Sequence, residues 1–211
     1  MSSIMLLLMT LFAASCEENI ERGSFISSNE LNISDYLVQS ENYTLFAELL
    51  DTTGMFDALN AYNPYGDGFT LMAPTNDAIN AYIASSDDYT SFDTFIADSS
   101  FIGALVRYHI VLTAFSTNAF PYGALNDSTI SGDYLTIGFQ SSGSEGVYLI
   151  NNTAQVIDPN LRVSNGVIHG LDKVLDPVIY NSYEWLKNKG EGVSIFVEML
   201  EETGLSDTMG Y

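Results

Sequence analysis

One segment of this chain, residues 163–177 (V-S-N-G-V-I-H-G-L-D-K-V-L-D-P), restricts the fold more than any other. Asn165 and Gly166 predict a turn, because both residue types tolerate a positive φ angle. The apolar residues that follow predict a buried strand that is interrupted at residues 170–172, resumes, and ends at Pro177. We therefore expect a buried strand that is entered through a tight turn and has a histidine inside it.

A second informative segment, residues 69–77 (F-T-L-M-A-P-T-N-D), predicts a buried strand followed directly by a helix. Phe69 opens the apolar run and Pro74 ends it, because proline cannot donate to a strand ladder. Thr75 is a good N-cap, and Asp77 lies where the helix dipole favours an acid. The two segments thus predict two buried strands whose ends are marked by the sequence.

The rest of the chain changes from helical to strand-like periodicity near its middle. Apolar residues three and four positions apart predict helices in the first half, and short apolar runs between turns predict strands in the second. The predicted helices are 43–50, 55–61, 76–84, 91–97 and 101–108, and the predicted strands are 69–73, 111–115, 129–130, 134–139, 147–150, 154–157 and 167–175. Helices and strands in this order around one core predict an α+β domain.

Residues 43–60 recur in part as residues 193–210, 150 positions later. The recurring residues are Phe46, Glu48, Leu50, Thr53, Gly54 and Asp57, which return as Phe196, Glu198, Leu200, Thr203, Gly204 and Asp207. A shared apolar face with the same glycine placement indicates an internal repeat. The repeat predicts one domain over residues 33–180, a linker over 181–192 and the truncated start of a second copy over 193–211.

The N-terminus is typical of an export signal. Residues 1–15 carry no charged side chain, and their apolar run, residues 4–14, is too short to span a bilayer. Cys16 is the only cysteine and follows small residues, so that it resembles the lipidated cysteine of a bacterial lipoprotein. The acids after it resemble the surface-export signal of Bacteroidetes lipoproteins.

We therefore predict a signal peptide at residues 1–15, and a lipidated Cys16 with a polar tether at residues 16–32. These features predict an exported lipoprotein of the outer membrane or cell surface, which contacts the membrane through its lipid anchor only. The alternative is an ordinary cleaved signal, an incidental cysteine and a secreted protein.

Four elements in the expected order resemble the fasciclin-like domain. They are residues 69–77, the pair Tyr108-His109, the glycine-bearing turn at residues 129–132, and residues 165–177 with Asn165, Gly166 and His169. The resemblance implies a compact β-wedge or sandwich of short strands with several packed helices. It also implies a non-enzymatic extracellular module of adhesion or binding, which often occurs in tandem.

One departure from the family limits what the resemblance implies. Animal members have an Asp-Ile pair just before the second motif that is implicated in integrin binding, and Asn160-Leu161 stand at those positions here. Because the acid is missing, integrin adhesion is not expected. The family's Tyr-His pair has also been linked to adhesion, but a structural role is the expectation for Tyr108 and His109.

The composition excludes several other functions. The formal net charge is −21, so nucleic acid and anionic membrane surfaces are not expected partners. Neither His109 nor His169 has a cysteine or a motif beside it that would indicate a metal site, a catalytic site or a cofactor. We therefore expect both histidines to be buried and hydrogen-bonded, and no catalytic, metal or cofactor site is predicted.

A loop-like stretch with three aromatic residues is the candidate ligand contact. Phe115, Phe120 and Tyr122 could stack on a sugar or contact a protein, and the alternative is that they cover the core. Three functions remain open. The first is a surface binding module for extracellular glycan or protein, the second a structural spacer that presents other domains, and the third a glycan-acting enzyme.

Overall fold

The computed structural model describes residues 31–61, 63–64, 66–142, 145–177, 179, 181–190 and 192–209. The predicted signal peptide, Cys16 and nearly all of the predicted tether therefore lie outside the described residues. The described part is a mixed α+β structure, which confirms the predicted fold class.

Helices dominate the first half of the chain, as predicted. They are α1 Ile33–Gln39, α2 Thr44–Thr52, α3 Met55–Asn60, α4 Asn76–Ser85, α5 Phe92–Ile96 and α6 Ser99–Tyr108, followed near the end by α7 Ser182–Lys189 and α8 Ser194–Glu202. Local capping explains several of these boundaries. The hydroxyl of Thr75 accepts a hydrogen bond from the amide of Ala78, and Gly54 ends α2 in the left-handed region at φ 70°.

The strands of the described residues form one sheet in the order β2-β1-β7-β6-β5-β4-β3. They are β1 Phe69–Pro74, β2 Ile110–Val111, β3 Gly123–Ala124, β4 Thr136–Ser142, β5 Glu145–Ile150, β6 Ala154–Val163 and β7 Gly166–Leu171. β1 and β7 are parallel, and the other described pairs are antiparallel. The two segments that stood out in the sequence therefore lie side by side, from Phe69 opposite Gly166 to Pro74 opposite Leu171.

The core lies on both faces of this sheet. On one face, Leu71 and Ile168 pack against the buried sides of the helices, including Phe46 of α2 and Leu105 of α6. On the other face, Met72 packs with residues of β4, β5 and β6. Burial on both faces explains why β1 is apolar at nearly every position.

The turn predicted near the start of residues 163–177 is confirmed at Ser164 and Asn165, but two details of the prediction for this segment are wrong. Neither Asn165 nor Gly166 has a positive φ angle. β7 is also not interrupted at Gly170, which pairs with both neighbouring strands, and it does not resume at residues 174–175. A Cβ atom on Gly170 would overlap the hydroxyl of Tyr43 and lie 2.8 Å from the Cβ of Asp158, so this glycine makes room for packing and does not break the strand.

The predicted strand at residues 111–115 is also shorter than expected. It ends at Val111, because the side chain of Thr70 takes over the following hydrogen bonds. The Thr70 hydroxyl donates to the carbonyl of Thr113 over 2.7 Å and accepts from the amide of Phe115 over 2.7 Å. The predicted strand at residues 129–130 is a single bridge between Val111 and Thr129.

The end of the chain repeats the local geometry of α2 in a different environment. Thr53 and Thr203 end α2 and α8 at φ −92° and −90°, and a left-handed glycine follows each of them. The side chain of Phe46 in α2 is 0% exposed, whereas that of Phe196 in α8 is 50% exposed. α7 lies within the stretch predicted as a linker, and its Lys187 forms an ion pair with Glu201 of α8 over 3.0 Å.

Candidate functional site

His169 in β7 is completely buried, and both of its ring nitrogens are hydrogen-bonded. Its Nε2 contacts the carbonyl oxygen of Phe115 over 2.8 Å, and its Nδ1 contacts the amide of Asn160 over 3.2 Å. Because a carbonyl only accepts and an amide N–H only donates, the proton must lie on Nε2. Burial lowers the pKa of His169, so the neutral ring is the favoured form.

Asn160 connects His169 to the loop that carries the predicted ligand contacts. It has a φ angle of 59°, a conformation that asparagine adopts more easily than most residues. Its Oδ1 accepts from the amide of Thr117 over 2.8 Å, and its Nδ2 donates to the Thr117 hydroxyl over 2.6 Å. The sequence singled out Asn160 for a missing acid, but its role in holding the 3₁₀ turn Thr117–Ala119 was not predicted.

Four rings form a continuous row from the buried core to the surface, which we call the aromatic row. The ring of Phe120 lies 5.0 Å from that of His169 and 5.4 Å from that of Tyr148. Tyr148 in turn lies 5.8 Å from Phe139, its partner across β4 and β5. The outermost ring, Phe139, is 58% exposed. The row is thus held firmly at His169 and open to solvent at Phe139.

The predicted contacts Phe115, Phe120 and Tyr122 have three different environments. Phe115 and Phe120 are partly buried and pack against the core on the β4–β6 side. Much of their surface therefore covers the core, as the alternative interpretation of these residues expected. Tyr122 is 91% exposed. Phe139 and Tyr148 were missed, although the alternation of the two strands that carry them was the available signal.

Phe139 also depends on a glycine across the strand pair. Its ring covers Gly146 at the place where a Cβ atom would lie, so any side chain at residue 146 would displace it. Covering a strand glycine with an aromatic ring is a known way to shield its backbone. The exposed ring is therefore seated on its neighbours, which limits its freedom.

Tyr108 and His109 lie where α6 runs into β2. His109 is buried; its Nδ1 contacts the carbonyl of Leu105 over 2.8 Å and its Nε2 accepts from the amide of Leu175 over 3.0 Å. Burial lowers the pKa of His109 to about 4, so this ring is neutral as well. The hydroxyl of Tyr108 accepts from Nδ2 of Asn151 over 2.9 Å. Both side chains therefore join elements that are distant in sequence.

The other motif residues lie at the ends of β1, at the start of β7 and in the first turn of α4. Asn165 Oδ1 accepts from the amide of Ile33 over 2.8 Å, and its Nδ2 donates to the carbonyl of Leu59 over 2.7 Å. A Cβ atom on Gly166 would overlap the carbonyl oxygen of Phe69 in the neighbouring strand. Pro74 is buried at the end of β1, and Asp77 is exposed in the first turn of α4.

These contacts leave little scope for catalysis by the histidines, because each is enclosed and already bonded at both nitrogens. Among the described residues, no three His, Cys, Asp or Glu side chains are placed to hold a metal ion. Within the same residues, no helix has the length and apolar character that a membrane crossing needs. What the surface does offer is exposed aromatic area on a rigid support, which suits non-covalent contact.

Comparison with known proteins gives consistent results. A family model described as the fasciclin domain matches residues 41–177. Human periostin is 25% identical over 179 residues, which are 84% of this chain and 19% of periostin. Protein sll1483 from Synechocystis sp. is 24% identical over 164 residues, which are 76% of this chain and 83% of that protein.

Among solved structures, a domain pair from the insect cell adhesion molecule Fasciclin I matches with a TM-score of 0.48 and 16% identity. The match covers 80% of this chain and 55% of that one. The chain therefore spans less than two thirds of both periostin and the insect protein.

Proposed function

Because this chain belongs to the fasciclin domain family, whose members are generally modules of cell adhesion and binding, we propose that it recognises an extracellular glycan or protein without covalent chemistry. The aromatic row carries the proposal. Phe139 is 58% exposed at the end of a row of rings that is anchored on the buried His169. A preorganised ring loses little conformational entropy when a ligand stacks on it.

Tyr122, which is 91% exposed, offers a further aromatic ring to a ligand. It stands just before β3, whose Gly123 pairs with Ile137 of β4, so it belongs to the same end of the sheet as Phe139. Asn160 fixes the turn that precedes it through two hydrogen bonds to Thr117. Together, Phe139 and Tyr122 are the residues through which we propose that ligand is bound.

We propose that the protein is located at the outer membrane or cell surface and that Cys16 is lipidated. The alternative is a secreted protein. The apolar run before Cys16 and the small residues beside it support this location. Metabolic labelling with palmitate tests it. Label should appear in the wild-type protein and disappear in Cys16→Ser, whereas an unlabelled wild-type protein would end the lipoprotein proposal.

We further propose that residues 193–209 are the first helices of a second fasciclin module. α8 repeats the local geometry of α2, but two positions that α2 buries are exposed in α8. Met199 is 57% exposed, whereas Leu49, 150 residues earlier, is 0% exposed, and Phe196 differs from Phe46 in the same way. An exposed apolar helix face of this kind marks a surface against which another element packs. Tandem modules would raise avidity for a repeated ligand.

A screen of the full chain against arrays of glycans and of extracellular matrix proteins tests the proposed function. Specific retention of at least one ligand is expected. The second candidate is a structural spacer, which the exposed face of α8 favours because another domain can pack on it. A spacer would retain nothing across the whole screen. A glycan-acting enzyme would show turnover that a single carboxylate substitution abolishes while binding persists. Either result would overturn the proposal.

A further inference from the structure

A concave surface that shares no residue with the aromatic row lies between α4, the start of α6, and α7. Its volume is about 1180 Å³, and we call it the acidic groove. Its aromatic lining comes from Tyr82, Tyr89, Phe101 and Trp185. The rings of Tyr82 and Phe101 are stacked with centroids 6.3 Å apart and planes 13° apart. Ring faces of this kind attract cations through their quadrupole.

The charged residues that line the groove are all acidic. They are Asp88, Asp98 and Asp176, and no Lys or Arg is among the lining residues. Asp98 accepts hydrogen bonds from the Tyr89 hydroxyl and from the amide of Phe101, so its carboxylate is held at the N-terminus of α6. Burial and a hydrogen bond to Asp176 raise the pKa of Tyr82, so its hydroxyl remains a donor to that carboxylate.

We propose that the acidic groove binds a basic segment of a partner protein, with a Lys or Arg side chain lying between the aromatic faces and the carboxylates. Charge complementarity carries the choice of occupant. Three carboxylates and four aromatic side chains line one cleft, in a chain whose formal net charge is −21. A cation is attracted both by the ring faces and by the charge of the carboxylates, whereas a neutral sugar has no net charge through which the accumulated negative charge could attract it.

The groove contains its own reporter, because Trp185 is the only tryptophan of the chain and lines the cleft. The full chain is titrated with an acetylated and amidated Gly-Arg-Gly-Arg-Gly peptide while the fluorescence of Trp185 is followed. The same peptide with citrulline in place of arginine is the matched neutral probe. We expect a saturable change with the arginine peptide, and binding of the citrulline peptide that is roughly tenfold weaker or more.

Two pairs of substitutions separate the groove from general electrostatics. Asp88→Asn with Asp176→Asn removes two charges from the groove, and both side chains are exposed, so folding should persist. Asp67→Asn with Asp207→Asn removes two exposed charges elsewhere. The first pair should weaken binding of the arginine peptide by roughly tenfold, and the second by about twofold or less.

Several results would overturn this proposal. They are equal weakening by the two pairs, equal binding of the two peptides, or a saturable fluorescence change with the neutral sugar maltohexaose where the arginine peptide gives none. The last result would make the groove a sugar site. Because Phe139→Ala should leave peptide binding unchanged, failure here is distinguishable from failure of the aromatic row as a binding surface.

Discussion

The main-chain amide of Asn160 donates a hydrogen bond to Nδ1 of the buried His169 over 3.2 Å. The same asparagine holds Thr117 through both atoms of its side-chain amide. A position that the sequence marked only by a missing acid therefore connects the core histidine to the loop before Tyr122.

Two substitutions of Asn160 should differ in their effect on stability, because only one of them removes the hydrogen bonds to Thr117. Asn160→Ala removes both side-chain contacts with Thr117 and puts alanine at a positive φ angle, so unfolding should cost about 2–4 kcal/mol less than in the wild type. Asn160→Asp keeps an acceptor for the Thr117 amide, and the Thr117 hydroxyl can donate instead of accept. Urea unfolding should therefore place Asn160→Asp within about 1 kcal/mol of the wild type, and equal losses in both variants would contradict the account.

Stability should fall as the pH drops below about 6.5. Burial lowers the pKa of His109 to about 4, below its ordinary value, so the unfolded chain binds the proton more tightly than the folded one. The contribution of the neutral His109 ring to the free energy of unfolding is fully present above the ordinary pKa of histidine, and it is lost as the pH falls towards 4. Between pH 7 and pH 5 the loss from His109 should be about 2 kcal/mol, and the lowered pKa of His169 adds to it with the same sign.

Urea unfolding at pH 7 and at pH 5 measures this dependence, and His109→Gln supplies the control. The variant should be less stable at both values, because a flexible side chain replaces the ring that bonds Leu105 and Leu175. Its stability should nevertheless change less between the two pH values than that of the wild type. A wild-type midpoint that does not move between pH 7 and pH 5 would show that the histidines are not buried in neutral form.

Glycine should be required at residue 166 but not at residue 103. A Cβ atom on Gly166 would lie 2.9 Å from the amide nitrogen of Phe69, in the backbone of a buried strand that cannot move aside. Gly166→Ala should therefore destabilise the fold by about 3 kcal/mol or more. Gly103 lies within α6, where a Cβ would meet only the flexible end of Arg107. Gly103→Ala should be neutral or stabilising by up to about 1 kcal/mol, and similar losses at both sites would refute the strand contact.

The two copies of the repeat should respond differently to the same substitution. Phe46 is fully buried in α2, so Phe46→Ala should cost about 3–5 kcal/mol. Phe196 occupies the equivalent place in α8 but is half-exposed, so Phe196→Ala should cost about 1 kcal/mol or less. Thermal unfolding of the two variants compares them directly. A large loss for Phe196→Ala would mean that α8 is already part of a buried core.

Local signals explain why most helices were predictable from the sequence. The start of α4 at Asn76 follows from the N-cap threonine before it. The end of α2 follows from Gly54, which adopts the left-handed conformation after the helix. The parallel pairing of β1 with β7 was not predictable, because the periodicity of a strand carries no information about its neighbour. β6 also extends to Val163, well past its predicted end, through irregular pairing between Val156 and Leu161.

The two proposed binding surfaces were less predictable than the fold, since both depend on long-range contacts. Phe139 and Phe120 come from different parts of the chain and are connected only through Tyr148 of β5, which contacts both rings. The acidic groove likewise combines Tyr82 of α4 with Trp185 of α7. The exposure of Tyr122 was predictable, because a tyrosine beside proline and glycine in a loop is a reasonable candidate for exposure.

The affinity of the aromatic surface for a ligand retained in the screen tests the central proposal most directly. Titration calorimetry would compare the wild type with Phe139→Ala plus Tyr122→Ala, and with Tyr134→Ala as the control, since Tyr134 is also 58% exposed but has no described ring contact with the row. Loss of two stacking rings should weaken binding roughly tenfold or more, and Tyr134→Ala should leave it within about twofold. Unchanged affinity in the double variant, or an equal loss in Tyr134→Ala, would contradict the assignment of the binding surface.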